Sequence, residues 1–166
     1  MKIRHATKSD FQAIADIHIE SWKDSYSGVL PAEFLASQIS RELITHWDKV
    51  EINSEDVILV AEENSMIGFI AVWCRPIPFI DNLHVRPPMR SKKVGSALMK
   101  AVAKELINQG EKTAYLWVFE NNLRAIRFYE RLGGIQKEQS MKTVFGYDVL
   151  SRKIEWNDLS LIYETQ

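Results

Sequence analysis

The stretch from Asp81 to Lys104 most limits what this chain can fold into. DNLHV ends a strand at Val85, RPPMRSKK forms a basic loop halted by Pro87 and Pro88, and a helix opens near Lys93 or Val94. Val94, Leu98, Ala101, Val102, Leu106 and Ile107 give that helix one apolar face, and Gly110 supplies a stop just past its end. The loop carries Arg86, Arg90, Lys92 and Lys93, and Gly95 falls in the first helical turn. A helix's first turn holds unpaired N–H groups and the positive end of the macrodipole, which suits phosphate oxygens. The same residues also describe a solvated turn, so the local pattern leaves both readings open. Neither a GxxxxGK[ST] loop nor a GxGxxG turn after a first strand is present.

The flanks set this unit in an α/β context. Lys2 to Ala6 alternates as a strand, and Thr7, Ser9 and Asp10 offer caps for a helix through Phe11, Ile14, Ile17, His18 and Trp22. Gly28 and Pro31 break that helix, and Ala32 to Lys49 resumes helical spacing as a second, kinked or divided helix. Val57–Glu62 and Met66–Trp73 read as a hairpin, and Phe79–Val85 as the next strand. Ala114–Val118 is an apolar run suited to a strand buried on both faces, parallel to Phe79–Val85 across the crossover helix. Asn121–Leu132 is amphipathic and closes at Gly133 and Gly134; Ile135–Ser140 and Tyr147–Trp156 are two strands joined around Gly146. The expectation is a single domain over residues 1–166: a central twisted mixed sheet of about seven strands with about four helices on its two faces.

Charge and composition narrow the function classes. The formal net charge of −1 points away from nucleic acid and from acidic membrane surfaces, so any polyanion site must be local. The single Cys74 excludes an internal disulfide and reads as a small core hydrophobe in a reducing, cytoplasmic protein without a signal peptide. The four histidines show no paired ligand spacing, so no metal site is expected.

Two motifs together carry a family resemblance. Leu83, Val85 and Arg90 to Leu98 (LHVRPPMRSKKVGSAL) are followed, a helix and a strand later, by Asn122, Ala125, Phe128, Tyr129 and Gly133 (NLRAIRFYERLG). The first resembles the [QR]xxGx[GA] coenzyme A loop of the GCN5-related N-acetyltransferase superfamily, the second its NxxAxxFYxxxGF helix. Ser21, Trp22, Tyr26, Gly28 and Pro31 (SWKDSYSGVLP) resemble a subset of bacterial members. The chain departs from the pattern at Lys93, where the family has its first loop glycine, and at Gly134, where many members have phenylalanine. The Cβ of Lys93 narrows the cofactor's approach to the backbone.

The resemblance implies acetyl-CoA as co-substrate and a primary amine as acceptor, carried by a small molecule or a peptide. It implies a sheet splayed between the fourth and fifth strands, with pantetheine on Leu83, His84 and Val85. It places pyrophosphate on the amides of Ser91, Lys92, Lys93, Val94, Gly95 and Ser96, with Arg90 and Lys92 near the phosphates and Asn122 and Phe128 beside the cofactor. Acetyl transfer needs a neutral amine, a stabilised oxyanion and a proton for the leaving thiolate, and Tyr129 is the implied acid. An amphipathic core tyrosine is the alternative for that residue.

Asp81 shares strand parity with Leu83 and Val85 if the strand is regular, and is then the candidate base facing the acceptor. A bulge would favour Asn82 or His84, and a third option is that no side-chain base is needed. Trp22 and Tyr26 either border the acceptor site or pack on the sheet. The rival readings are a non-catalytic acyl-CoA-binding module and an α/β domain with no coenzyme site; a homodimer through the C-terminal strands is conceivable.

Overall fold

Seven strands form one mixed sheet in the computed structural model, which describes residues 1–164. In chain order they are β1 (Lys2–His5), β2 (Val57–Glu62), β3 (Met66–Cys74), β4 (Pro78–Val85), β5 (Ala114–Phe119), β6 (Ile135–Val144) and β7 (Tyr147–Trp156). Across the sheet they run β1-β2-β3-β4-β5-β7-β6. The helices are α1 (Phe11–Ser25), α2 (Ile39–Lys49), α3 (Val94–Asn108), α4 (Leu123–Arg131) and a short α5 (Leu161–Glu164) that the sequence reading did not anticipate. No described helix is long and apolar enough to cross a membrane.

Alternation along the strands assigns the two faces. Leu59, Ile70, Val72, Ile80 and Leu116 pack with Val94, Leu98, Val102 and Leu106 of α3, Ile126 and Tyr129 of α4, and Ile162 of α5. On the other face Ile58, Val60, Phe69 and Ala71 pack against Ile14, Ile17 and Trp47, while Trp22, Phe34, Leu43, Phe119 and Val149 extend this layer toward the β6–β7 hairpin. Ile107, expected on the buried face of α3, is 39% exposed because it lies beside the buried stripe of Val94, Leu98, Val102 and Leu106 rather than within it. The second helix is one continuous run over residues 32–49 rather than two pieces, with a π-helical turn at Phe34–Gln38 leading into α2.

The strand calculus fails at one place. Along β3 and β4, Gly68 to Ala71 pair with Val85 to Asn82, but Val72 pairs with Ile80, leaving Asp81 as an extra residue. This β-bulge reverses the parity of everything before it. Leu83 and Val85 face α3 and alternate regularly with Asn82 and His84, which face α1, while Ile80, beyond the slip, faces α3 as well.

The Gly133–Gly134 departure has a steric reason. A Cβ on Gly134 would lie 2.6 Å from Ile154 Cγ2, 2.9 Å from Trp156 Cζ2 and 2.9 Å from the carbonyl oxygen of Tyr129. Trp156, fully buried and donating its indole N–H to the Leu132 carbonyl at 3.0 Å, fills the room there. Gly134→Ala is expected to destabilise the fold by about 1–3 kcal/mol through overpacking; a chemical-denaturation midpoint equal to wild type would contradict this.

Candidate active site

Strands β4 and β5 run parallel but share one register pair, Phe79 with Tyr115, whose rings stack at 5.1 Å. Beyond that pair they diverge, although β4 stays paired to β3 and β5 to β7 along their lengths. The divergence opens a cleft of about 1040 Å³ between α1, the loop after β4, α3, α4 and the β6–β7 hairpin.

The mouth of the cleft presents backbone amides that no group of the chain caps. Helix α3 begins at Val94 after Lys93, whose φ of 63° is left-handed and whose side chain provides no cap. Ser91 has a similar φ of 65°. The first intrahelical bond at this end is Ala97 N–H to the Lys93 carbonyl at 2.9 Å, so the amides before it have no helical acceptor. Helix α4, by contrast, is capped by its own chain: Asn122 Oδ1 accepts from Ala125 N–H at 3.2 Å. Gly95 lies in the α3 first turn, where an added Cβ would only touch Phe128 at 3.4 Å. The fold itself does not require a glycine there, and its lack of a side chain leaves the backbone open to the cleft. Arg124 reaches across from α4 to donate to Ser91 Oγ at 3.3 Å.

Of the residues expected at the site, Trp22, Tyr26, Asp81, Leu83, His84, Val85, Arg90, Ser91, Lys93, Val94, Gly95, Ser96, Asn122, Phe128 and Tyr129 all line this cleft. Lys92 does not: it is exposed, and its ammonium turns back to Met89 Sδ at 3.7 Å. The expectation that its charge lies near the phosphates finds no support in that rotamer. Arg90 makes an ion pair with Asp24 and approaches Ser25 Oγ at 3.3 Å, so it ties the loop to the last turn of α1. Arg86 is committed to the fold, donating to the Met66 carbonyl at 2.9 Å and to Glu20 at 2.6 Å.

The expected parity of Asp81 is overturned. The bulge turns its carboxylate away from the face of Leu83 and Val85, toward α1 and α2, where it accepts from Trp73 Nε1 at 2.9 Å and Asn82 Nδ2 at 3.2 Å. It is exposed and is the only carboxylate among the residues lining the cleft. His84 is held by Ser21 Oγ at 2.9 Å; burial first, then the Arg90 charge, bring its imidazole down to about 3, leaving it neutral and a poor base. His18, stacked on His84 at 4.5 Å, is likewise pushed down by burial and accepts from Trp47 Nε1 at 3.1 Å.

Tyr129 is buried, edge-on to Trp156 at 5.9 Å. Burial, reinforced by the nearby phenol of Tyr26, raises its pKa well above the ordinary tyrosine value. Tyr26 itself is pushed up to about 12 by burial. Both phenols therefore keep their protons at neutral pH.

A model of the acetyltransferase (GNAT) family matches residues 11–134, a span that runs from α1 through the uncapped helix to the Gly133–Gly134 turn. The chain belongs to the GNAT family. An uncharacterized N-acetyltransferase of Archaeoglobus fulgidus is 29% identical over 138 residues, covering 78% of this chain and 89% of that one. A spermidine N(1)-acetyltransferase of Thermoplasma acidophilum is 25% identical over 145 residues, 80% of this chain and 87% of its own. Among solved structures, the PaiA N-acetyltransferase of Thermoplasma acidophilum in complex with coenzyme A superposes with a TM-score of 0.69 at 23% identity, over 91% of this chain and 96% of the other. YncA of Salmonella typhimurium with acetyl-CoA gives 0.68 at 19% identity, over 96% and 94%. The protein is thus an acetyl-CoA-dependent N-acetyltransferase, and the mixed seven-stranded sheet is the GNAT fold.

The uncapped α3 amides, the bare Gly95 and the cations of Arg90, Lys93 and Arg124 fit the diphosphate of coenzyme A. The unpaired edge of β4 from Leu83 to Val85 fits its pantetheine arm. In this GNAT chain several further cleft residues escaped the sequence reading: Phe119, Arg124, Lys142 and Phe145. Phe145 was findable in principle, because Phe145 and Gly146 have φ of 48° and 84° in a two-residue turn between paired Val144 and Tyr147.

Lys93 holds a conformation that costs a side-chain-bearing residue about 1 kcal/mol. Lys93→Gly is expected to raise the melting temperature by roughly 2–4 °C while leaving coenzyme A affinity within about threefold, as thermal unfolding and calorimetry would read. A lowered melting temperature would contradict it.

Proposed function

We propose that the enzyme acetylates a primary amine by direct attack with both substrates bound, Tyr129 protonating the departing thiolate and Asp81 receiving the amine's proton. Acetyl-CoA, when bound, supplies the acyl group as an activated thioester. The observation that carries this reading is Tyr129 itself: a protonated phenol lining the cleft formed by the diverging strands. Held neutral by its burial, the phenol has its proton available to donate toward the sulfur as the carbon–sulfur bond breaks.

A covalent acetyl-enzyme is disfavoured by the one available thiol. Cys74 does not line the cleft, and burial together with Asp56, Glu111 and Glu55 pushes it up to about 11, so it carries little thiolate at neutral pH. For the base, Asp81 is favoured over His84 by electrostatics. An exposed carboxylate can draw an ammonium to the cleft and take its proton directly or through water, whereas a buried imidazole beside Arg90 resists protonation.

Tyr129→Phe is expected to lower kcat about 100-fold with a competent amine while the coenzyme A dissociation constant changes less than about threefold. A kcat within a fewfold of wild type in a thiol-release assay would remove the acid assignment. Asp81→Asn is expected to lower kcat/KM for the amine about tenfold at neutral pH, the deficit shrinking as pH rises and the free amine appears without help. A deficit that is the same at every pH would assign Asp81 to binding alone.

A further inference from the structure

The acetyl-transfer reading gives no role to Lys142. The other lysines and arginines of the cleft, Arg90, Lys93, Lys100, Arg124 and Arg131, come from the loop after β4, from α3 and from α4, on the coenzyme side. Lys142 comes from β6 on the other side of the sheet: it pairs in register with Val149, whose side chain packs in the α1–α2 layer. Its ammonium sits 3.9 Å from the ring centroid of Trp117, and it forms no ion pair among the described residues.

Its surroundings are aromatic. Tyr115, Trp117 and Phe119 project from β5 to the α1–α2 side, alternating with Ala114, Leu116 and Val118, which face α3. Phe79 stacks on Tyr115, Tyr26 lies 4.4 Å from Phe119, and Tyr115 and Trp117 are half-buried in the cleft wall. The acceptor side thus offers a π-rich floor, one carboxylate in Asp81 and one cation in Lys142.

From this we infer that the acceptor is an amine on an aromatic or bulky apolar body that also carries a carboxylate, with Lys142 holding that carboxylate. An ammonium drawn to Asp81 and an anion drawn to Lys142 satisfy both charges of the site. A polyamine does not: its further ammonium groups meet Lys142 and find no second acidic side chain in the cleft. The aromatic row supplies the contact area that a small charged amine cannot use. This inference rests on the acetyl-transfer reading and adds the acceptor class to it.

The test compares phenylalanine with phenylalaninamide, the dipeptide Ala-Phe with its C-terminal amide, and spermidine, by thiol release with wild type, Lys142→Met and Lys142→Arg. The expected result is that Lys142→Met lowers the carboxylate-to-amide ratio of kcat/KM about tenfold, that Lys142→Arg largely retains it, and that spermidine is a poor substrate for wild type. Comparing ratios between variants cancels the amides' different amine basicity. An unchanged ratio, or spermidine outpacing the carboxylate-bearing amines, overturns the acceptor assignment while leaving acetyl transfer in place. A second readout needs no turnover: N-acetylphenylalanine added to saturating coenzyme A is expected to raise the melting temperature of wild type above that with coenzyme A alone but not to do so for Lys142→Met, and no further shift with wild type overturns the proposal. Failure to bind coenzyme A at all would strike the transfer reading itself.

Discussion

The structure depends on a break in its own sheet. Strands β4 and β5 touch at the stacked Phe79–Tyr115 pair and then separate, each anchored on its outer side by full antiparallel pairing to β3 and β7. Parallel strands normally gain a ladder of hydrogen bonds along their length, so a separation leaves main-chain donors and acceptors facing a gap. The bulge at Asp81, two residues past the stacked pair, bends β4 at the start of the divergence. The exposed strand edge is then available to an extended ligand, and the helix that follows β4 delivers uncapped amides to the same opening.

The two faces of the sheet divide the chemistry between them. On the α3–α4 side lie the amides and cations that suit a polyanion. On the α1–α2 side lie Asp81, Lys142 and the aromatic row of β5. Between them sits a wall of neutral polar rings: His84 on Ser21, His18 on Trp47, and the phenols of Tyr26 and Tyr129. Burial keeps each of these groups neutral, and Arg90 is the cation that lies beside His84 and Tyr26. Any proton that moves there does so among few competing partners.

Much of the fold was legible because its signals are local. The apolar spacing from Val94 to Leu106 gives α3, the alternation in Val57–Glu62 and Met66–Cys74 gives the hairpin, and Asn122 announces the cap of α4. The loop that enters α3 at the mouth of the cleft was legible too, since it is made of consecutive residues. Lys92 was not, because the direction of an exposed lysine is set by which neighbour it meets, here Met89. Helix α5 was missed because its four residues are ordered by packing Leu161 over Gly133 and burying Ile162, contacts with segments distant in sequence.

By itself, then, the sequence determined the order of the main elements, the loop that opens α3 and the tyrosine of α4, all of which follow from spacing within a few turns of chain. Tertiary structure decided the rest. The bulge that turns Asp81 to the α1–α2 side exists only in the register between two strands, and Lys142 joins the cleft only because β6 and β7 fold back beside β5. Periodicity states which residues share a face; it cannot state where a register slips or which distant face it meets.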